Sequence, residues 1–152
     1  MKAGILVESL GMSQKAYEII REINKIDSLE EYWDIVLFYL EYDRLITAPR
    51  FAMMNSVEAY GMDGPLISTS IETTKTSLNC IRATKRFFYV FDMEWTNSTY
   101  DVDELLDIYM NPKVELIARS EDHAKVIEKC WKKPIDVIEN FNYEKLTNLI
   151  SK

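Results

Sequence analysis

The sequence predicts an α/β fold: a doubly wound, mostly parallel, Rossmann-like sheet built as a single domain over residues 1–152. Three observations carry this expectation. Short apolar runs rich in β-branched and aromatic residues alternate with segments of helical period, the pattern of βα units. The run Asp34 to Leu40 is apolar almost throughout, as a strand covered on both faces must be. No repeat, low-complexity tract or Pro/Gly/Ser-rich linker interrupts the 152 residues.

The elements follow in order. Ala3-Gly4-Ile5-Leu6-Val7 is the first strand, and after a turn at Gly11, Ser13 caps a helix that aligns Ala16, Ile19, Ile20 and Ile23 on one face. A charged connector containing Glu30 leads to the second strand, Asp34 to Leu40. Pro49 is expected to open a helix carrying Met53, Met54, Val57 and Tyr60, ended by Gly61. Pro65 to Thr69 is a short third strand, and Ser70 caps a helix running through Leu78 and Ile81. Arg86 to Phe91 has the strongest strand character in the chain. A helix with Val102, Leu105, Leu106 and Tyr109 aligned stops at Asn111-Pro112. Val114 to Ala118 is the fifth strand. Ser120 caps a helix whose inner face is Val126, Ile127, Cys130 and Trp131. Ile135 to Ile138 and Tyr143 to Ile150 supply a last strand and helix. Parallel strands require right-handed crossovers, and six strands of this kind suggest the order 3-2-1-4-5-6.

Composition narrows the function classes. With 47% hydrophobic and 28% charged residues the chain is an ordinary globular one, and a domain of this size buries about 70% of its unfolded surface without staples. A net charge of −7 opposes binding to a phosphate backbone, so no nucleic-acid partner is expected. Cys80 and Cys130 form no paired motif and are expected to be reduced, buried small hydrophobes. The apolar N-terminal run is too short for a signal peptide or a membrane span, so a cytoplasmic protein is expected. The chain has one histidine, His123, with no second ligand beside it, so no metal site is indicated. No cofactor motif is present.

In open parallel sheets ligands bind beyond the carboxyl ends of the strands, where the strand order reverses. With the suggested order that point lies between the loops Glu8 to Ser13 and Asp92 to Trp95. Ser9, Gly11 and Ser13 precede a helix N-terminus, whose N–H groups and dipole favour an anion. The loop is neither GxGxxG nor a Walker A sequence. Glu41, at the end of the second strand, lacks such glycines and reads as a solvated carboxylate. Asp92 and Glu94 are the candidate catalytic carboxylates, suited to act as general base or to bind sugar hydroxyls, and Trp95 offers a stacking platform.

Leu116-Ile117-Ala118-Arg119-Ser120, a helix, and then Pro134-Ile135-Asp136-Val137-Ile138-Glu139-Asn140-Phe141-Asn142-Tyr143 resemble the close of the first, acceptor-side domain of GT-B glycosyltransferases. Phe91-Asp92-Met93-Glu94-Trp95 resembles the acceptor-side loop after a central strand of that domain. The resemblance implies a sugar or sugar-nucleotide ligand and adds Ser120 to the ligand-binding candidates. In that family a second Rossmann domain holds the donor, and this chain stops where it would begin. The expected function is therefore a glycosyltransferase-like domain that binds a sugar or sugar phosphate and is inactive alone or needs a partner donor domain; the expected partners are a carbohydrate or sugar nucleotide and a protein partner or second copy of the chain. Two alternatives stand beside it: a small nucleotide- or phosphoanion-binding protein using the Gly11 loop, and a protein-interaction module without a small ligand.

Overall fold

The computed structural model describes residues 2–11, 13–25 and 33–152; Met12 of the first loop and Glu30 of the charged connector lie outside the described residues. The strands are β1 (Lys2–Ser9), β2 (Asp34–Glu41), β3 (Ala52–Asn55), β4 (Leu66–Ser68), β5 (Arg86–Val90), β6 (Glu115–Ala118) and β7 (Asp136–Val137). The helices are α1 (Gln14–Ile23), α2 (Ile71–Asn79), α3 (Val102–Tyr109), α4 (Glu121–Cys130) and α5 (Tyr143–Ile150). The strands form one sheet in the order β3-β2-β1-β4-β5-β6-β7, and every neighbouring pair is parallel. The α/β, Rossmann-like class expected from the alternating pattern is the one observed.

Strand side chains alternate between the two faces, and each face has its own core. On one side Ile5, Leu37, Ile67, Phe87, Tyr89 and Ile117 meet Ile19, Ile20 and Ile23 of α1 and Leu146 and Ile150 of α5. On the other, Phe88, Val90 and Leu116 meet Ile71, Leu105, Ile108 and Ile127 from α2, α3 and α4. Further along that face Leu6, Val36, Phe38 and Leu66 close against Ala59, Met62 and Cys80. Gly4 sits here because a Cβ would lie 2.5 Å from Leu66 Cδ2 and 2.8 Å from Phe38 Cε2. A side chain at that point would push β1 away from its packing layer.

Ser13, Ser70 and Ser120 cap α1, α2 and α4, each accepting from the backbone N–H three residues on. The segment from Pro49 to Gly61 departs from expectation. It holds β3 and a 3-10 turn, Ser56–Gly61, instead of an α-helix. The outer edge of β2 takes Ala52, Met53, Met54 and Asn55 as a parallel partner, and Asn55 then caps the turn through Val57 N–H. The expected six-strand order 3-2-1-4-5-6, with Pro65–Thr69 at the edge beyond β2, is overturned: the described sheet has seven strands, and Ala52–Asn55 takes that edge. The run around Leu66 is consequently the fourth strand and lies directly beside β1.

Smaller corrections concern helix faces. α2 ends at Asn79, so Ile81 is left in solvent. α3 buries Leu105, Ile108 and Tyr109 and exposes Val102 and Leu106. Cys80 is buried and free as expected, whereas Cys130, in the last turn of α4, is free and exposed. Ile127 is buried as expected and Trp131 packs against the same core, while His123 takes the remaining inward position. Among the described residues no helix is long and apolar enough to cross a membrane.

Candidate functional site

A cleft of about 280 Å³ opens at the carboxyl edge of the sheet, over the ends of β1, β4, β5 and β6. It lies where the order reverses: β1 sends its connection to one side through α1, and β4 sends its own to the other through α2. The walls come from Val7, Glu8 and Ser9 after β1, Ser13, Gln14, Lys15 and Glu18 of the α1 entry, Thr69 and Ser70 after β4, Phe91 and Asp92 after β5, and Arg119 after β6.

The two helix N-termini in this region differ. At α2, Ser70 Oγ accepts from Thr73 N–H, while Thr73 Oγ1 accepts from the N–H groups of Thr69 and Ser70. Glu94 Oε2 takes the N–H of Ile71 at 2.8 Å, so the protein's own carboxylate occupies the place an anion would take. At α1, Ser13 Oγ accepts from Ala16 N–H at 3.1 Å. The N–H groups of Gln14 and Lys15, in the first turn, have no intrahelical partner, and both residues line the cleft. Ser9 Oγ accepts from Gly11 N–H at 3.0 Å, which shapes the turn into α1 and leaves the Ser9 hydroxyl proton free to donate. Gly11 itself lies against Asp43, where a Cβ would come within 2.6 Å of Oδ2.

Lys15 ties the walls together. Its Nζ is 2.7 Å from Glu94 Oε1 and 3.2 Å from Asp92 Oδ2. Burial pulls the ammonium down, but the charge of Glu94, its hydrogen bond and then Asp92 outweigh that, and the group titrates above its ordinary value. Both oxygens of Glu94 are engaged, one by Lys15 and one by Ile71. The Asp92 side chain is 55% exposed and retains lone pairs toward the cleft. Arg119 makes no ion pair among the described residues, and neither does Glu8.

The sequence-selected residues separate accordingly. Ser9, Ser13 and Asp92 line the cleft, and Glu94 stands behind it through Lys15. Trp95 turns away into an aromatic cluster, edge-on to Tyr109 at 5.2 Å and to Trp131 at 6.2 Å, and parallel to His123 at 6.4 Å. Ser120 is spent on capping α4 through His123 N–H. Burial, then the positive charge of Arg119, pushes His123 below its ordinary pKa, against a smaller pull from Asp92. Sequence reasoning passed over Lys15 and Arg119. Arg119 had a usable signal, since it follows the end of β6 just as Asp92 follows that of β5. Lys15 had only its place two residues beyond the Ser13 cap.

Comparison with protein families, curated proteins and solved structures returns no match to this chain. Its chemistry is therefore read from the cleft. Among the described residues no group of three or more His, Cys, Asp or Glu side chains is placed to hold a metal ion. The wall residues supply a guanidinium with no ion pair among the described residues, hydroxyl and amide donors, and exposed carboxylates, a mixture suited to a small polar ligand that carries both anionic and hydroxyl groups.

Proposed function

We propose that this protein is a glycosyltransferase-like domain that binds a sugar phosphate in the cleft at the carboxyl edge of the sheet. The observation that carries the reading is Arg119, a cation with no ion pair among the described residues, on the same cleft as the first turn of α1. A phosphate accepts charge-assisted hydrogen bonds from a guanidinium in a two-pronged geometry, and further ones from free helix amides. Asp92, after the neighbouring strand β5, would accept from sugar hydroxyls. It is also the group that would serve as general base toward an acceptor hydroxyl, while Glu94 positions Lys15 and, through it, Asp92. The volume of about 280 Å³ is at the small end of the usual range for ligand pockets, which suits a monosaccharide phosphate better than a whole sugar nucleotide. A donor nucleotide would then be held by a partner.

Calorimetry and a chemical-shift map with hexose phosphates, the parent hexoses and inorganic phosphate test the reading. Shifts should cluster at Ser9, Ser13, Lys15, Asp92 and Arg119. Arg119→Ala should weaken binding by tenfold or more, on the order expected for a hydrogen bond to a charged group. Shifts confined to other surfaces, or none at millimolar ligand, would overturn it.

A further inference from the structure

The charges around the cleft do not cancel, and the imbalance bears on which sugar phosphate fits. Lys15 is spent on two carboxylates at once, Asp92 and Glu94. Besides Lys15 and Asp92, the charged residues that line the cleft are one cation, Arg119, and two carboxylates, Glu8 and Glu18. Glu18 accepts a hydrogen bond from the Gln14 side-chain amide at 2.8 Å, which fixes its place on α1 without neutralising it. Neither Glu8 nor Glu18 makes an ion pair among the described residues. A phosphate drawn to Arg119 therefore enters a cleft whose other uncompensated charges are negative and disfavour it.

A ligand that brings its own cation resolves the conflict. Resting on the sugar-phosphate reading, we infer that the ligand is an aminated sugar phosphate, with its phosphate at Arg119 and the α1 amides and its ammonium at Glu18 and Glu8. Glu18 is the stronger partner, because it is half-buried and already oriented by Gln14, whereas Glu8 is exposed. The same two carboxylates act against the neutral analogue. A hexose phosphate with hydroxyl in place of ammonium leaves them uncompensated beside its own negative charge, so attraction to one ligand and rejection of the other come from one pair of side chains.

Calorimetry on the full chain at pH 7 compares glucosamine 6-phosphate, glucose 6-phosphate and N-acetylglucosamine 6-phosphate, each with EDTA and with magnesium. Glucosamine 6-phosphate should bind tenfold or more tightly than the other two in both buffers, since a charge-assisted contact is gained and a repulsion removed. In Glu18→Gln, and further in the variant that adds Glu8→Gln, its affinity should fall while that of glucose 6-phosphate rises, so that the two converge. Equal affinities in the parent protein, parity restored by magnesium, or a preference that survives both substitutions would overturn the inference while leaving sugar-phosphate binding intact. Failure of every sugar phosphate to bind at millimolar concentration would instead overturn the reading beneath it, and the inference with it.

Discussion

Tyr89 holds Phe141 in a left-handed backbone conformation. Asn140 and Phe141 both have φ near 53°, a region that bulky side chains rarely adopt. The Tyr89 hydroxyl donates to the Ile138 carbonyl and accepts from Phe141 N–H at 3.2 Å, bracketing the turn from inside the core. The two rings meet edge to face at 4.9 Å, and Phe91 stacks on Phe141 at 6.1 Å. The turn that leads from β7 into α5 is therefore set by a side chain on the central β5.

Tyr89→Phe should destabilise the fold by about 2 kcal/mol, because a buried carbonyl and a buried N–H lose their partner together. Urea unfolding followed by circular dichroism measures this. A loss below about 0.5 kcal/mol would mean that the hydroxyl does not hold the turn.

The same residue gives an alkaline signature. Burial pushes the Tyr89 phenol up to about 12, against a smaller opposing effect of its Phe141 hydrogen bond. A folded pKa raised above the unfolded value near 10 means that the unfolded chain releases the proton first. This contribution to stability is complete below about pH 10 and is lost as pH rises toward 12. Melting temperature should fall through that window, and less steeply in Tyr89→Phe.

His123 acts at the other end of the scale. Its folded pKa lies below the ordinary histidine value because burial, and then Arg119, disfavour the charged ring. The unfolded chain takes up the proton first, so the contribution is present above about pH 6.5 and declines as pH falls below it. In thermal melts from pH 8 to pH 5 the parent should lose stability on the acidic side, and His123→Phe should flatten part of that loss. Identical slopes in parent and variant would rule out the ring as the source.

Asp92 and Glu94, two residues apart, should behave differently. Glu94→Ala removes the cap on Ile71 N–H and one partner of Lys15, and should cost about 1 kcal/mol of stability. Asp92→Asn, at an exposed position, should leave the melting temperature close to the parent's and weaken sugar-phosphate binding. Equal effects on stability would contradict the division of roles.

Val36→Asp should abolish soluble folding. Val36 is buried in β2 between β1 and β3, and an unpaired carboxylate there costs several kcal/mol. Recovery of a soluble variant with a normal melt would mean that β2 is not an interior strand.

What could be read from the sequence follows from which residues carried a local signal. β1, β2 and β5 are long apolar runs, and Ser13, Ser70 and Ser120 satisfy helix amides three residues away, so strand and helix starts were both visible. β3 was not. As an edge strand it buries little, and Met53, Val57 and Tyr60 fall by coincidence at helical spacing. That one missed strand shifted the count and placed the crevice beside β5, where the structure has it beside β4. Asp92 still reaches the cleft because Lys15 draws its loop inward. A link between α1 and a loop some eighty residues away leaves no trace in periodicity. Trp95 illustrates the opposite case: an indole after an interior strand looks like a platform for a ligand, but its ring packs with Tyr109, His123 and Trp131.

The all-parallel order also sets a timetable for synthesis. Of the described strands β1 is made before the others yet lies inside the sheet, where Gly4 pairs with Val36 on one side and Leu66 on the other. Its apolar residues have no sheet partner until β2 has been made and none on the second edge until β4 follows. From there the sheet extends strand by strand, β5 then β6 then β7, each docking on a finished neighbour. The interval before β4 emerges is the one in which the nascent chain is most exposed to misassociation, and chaperone capture would act on the segment from Lys2 to Ser9.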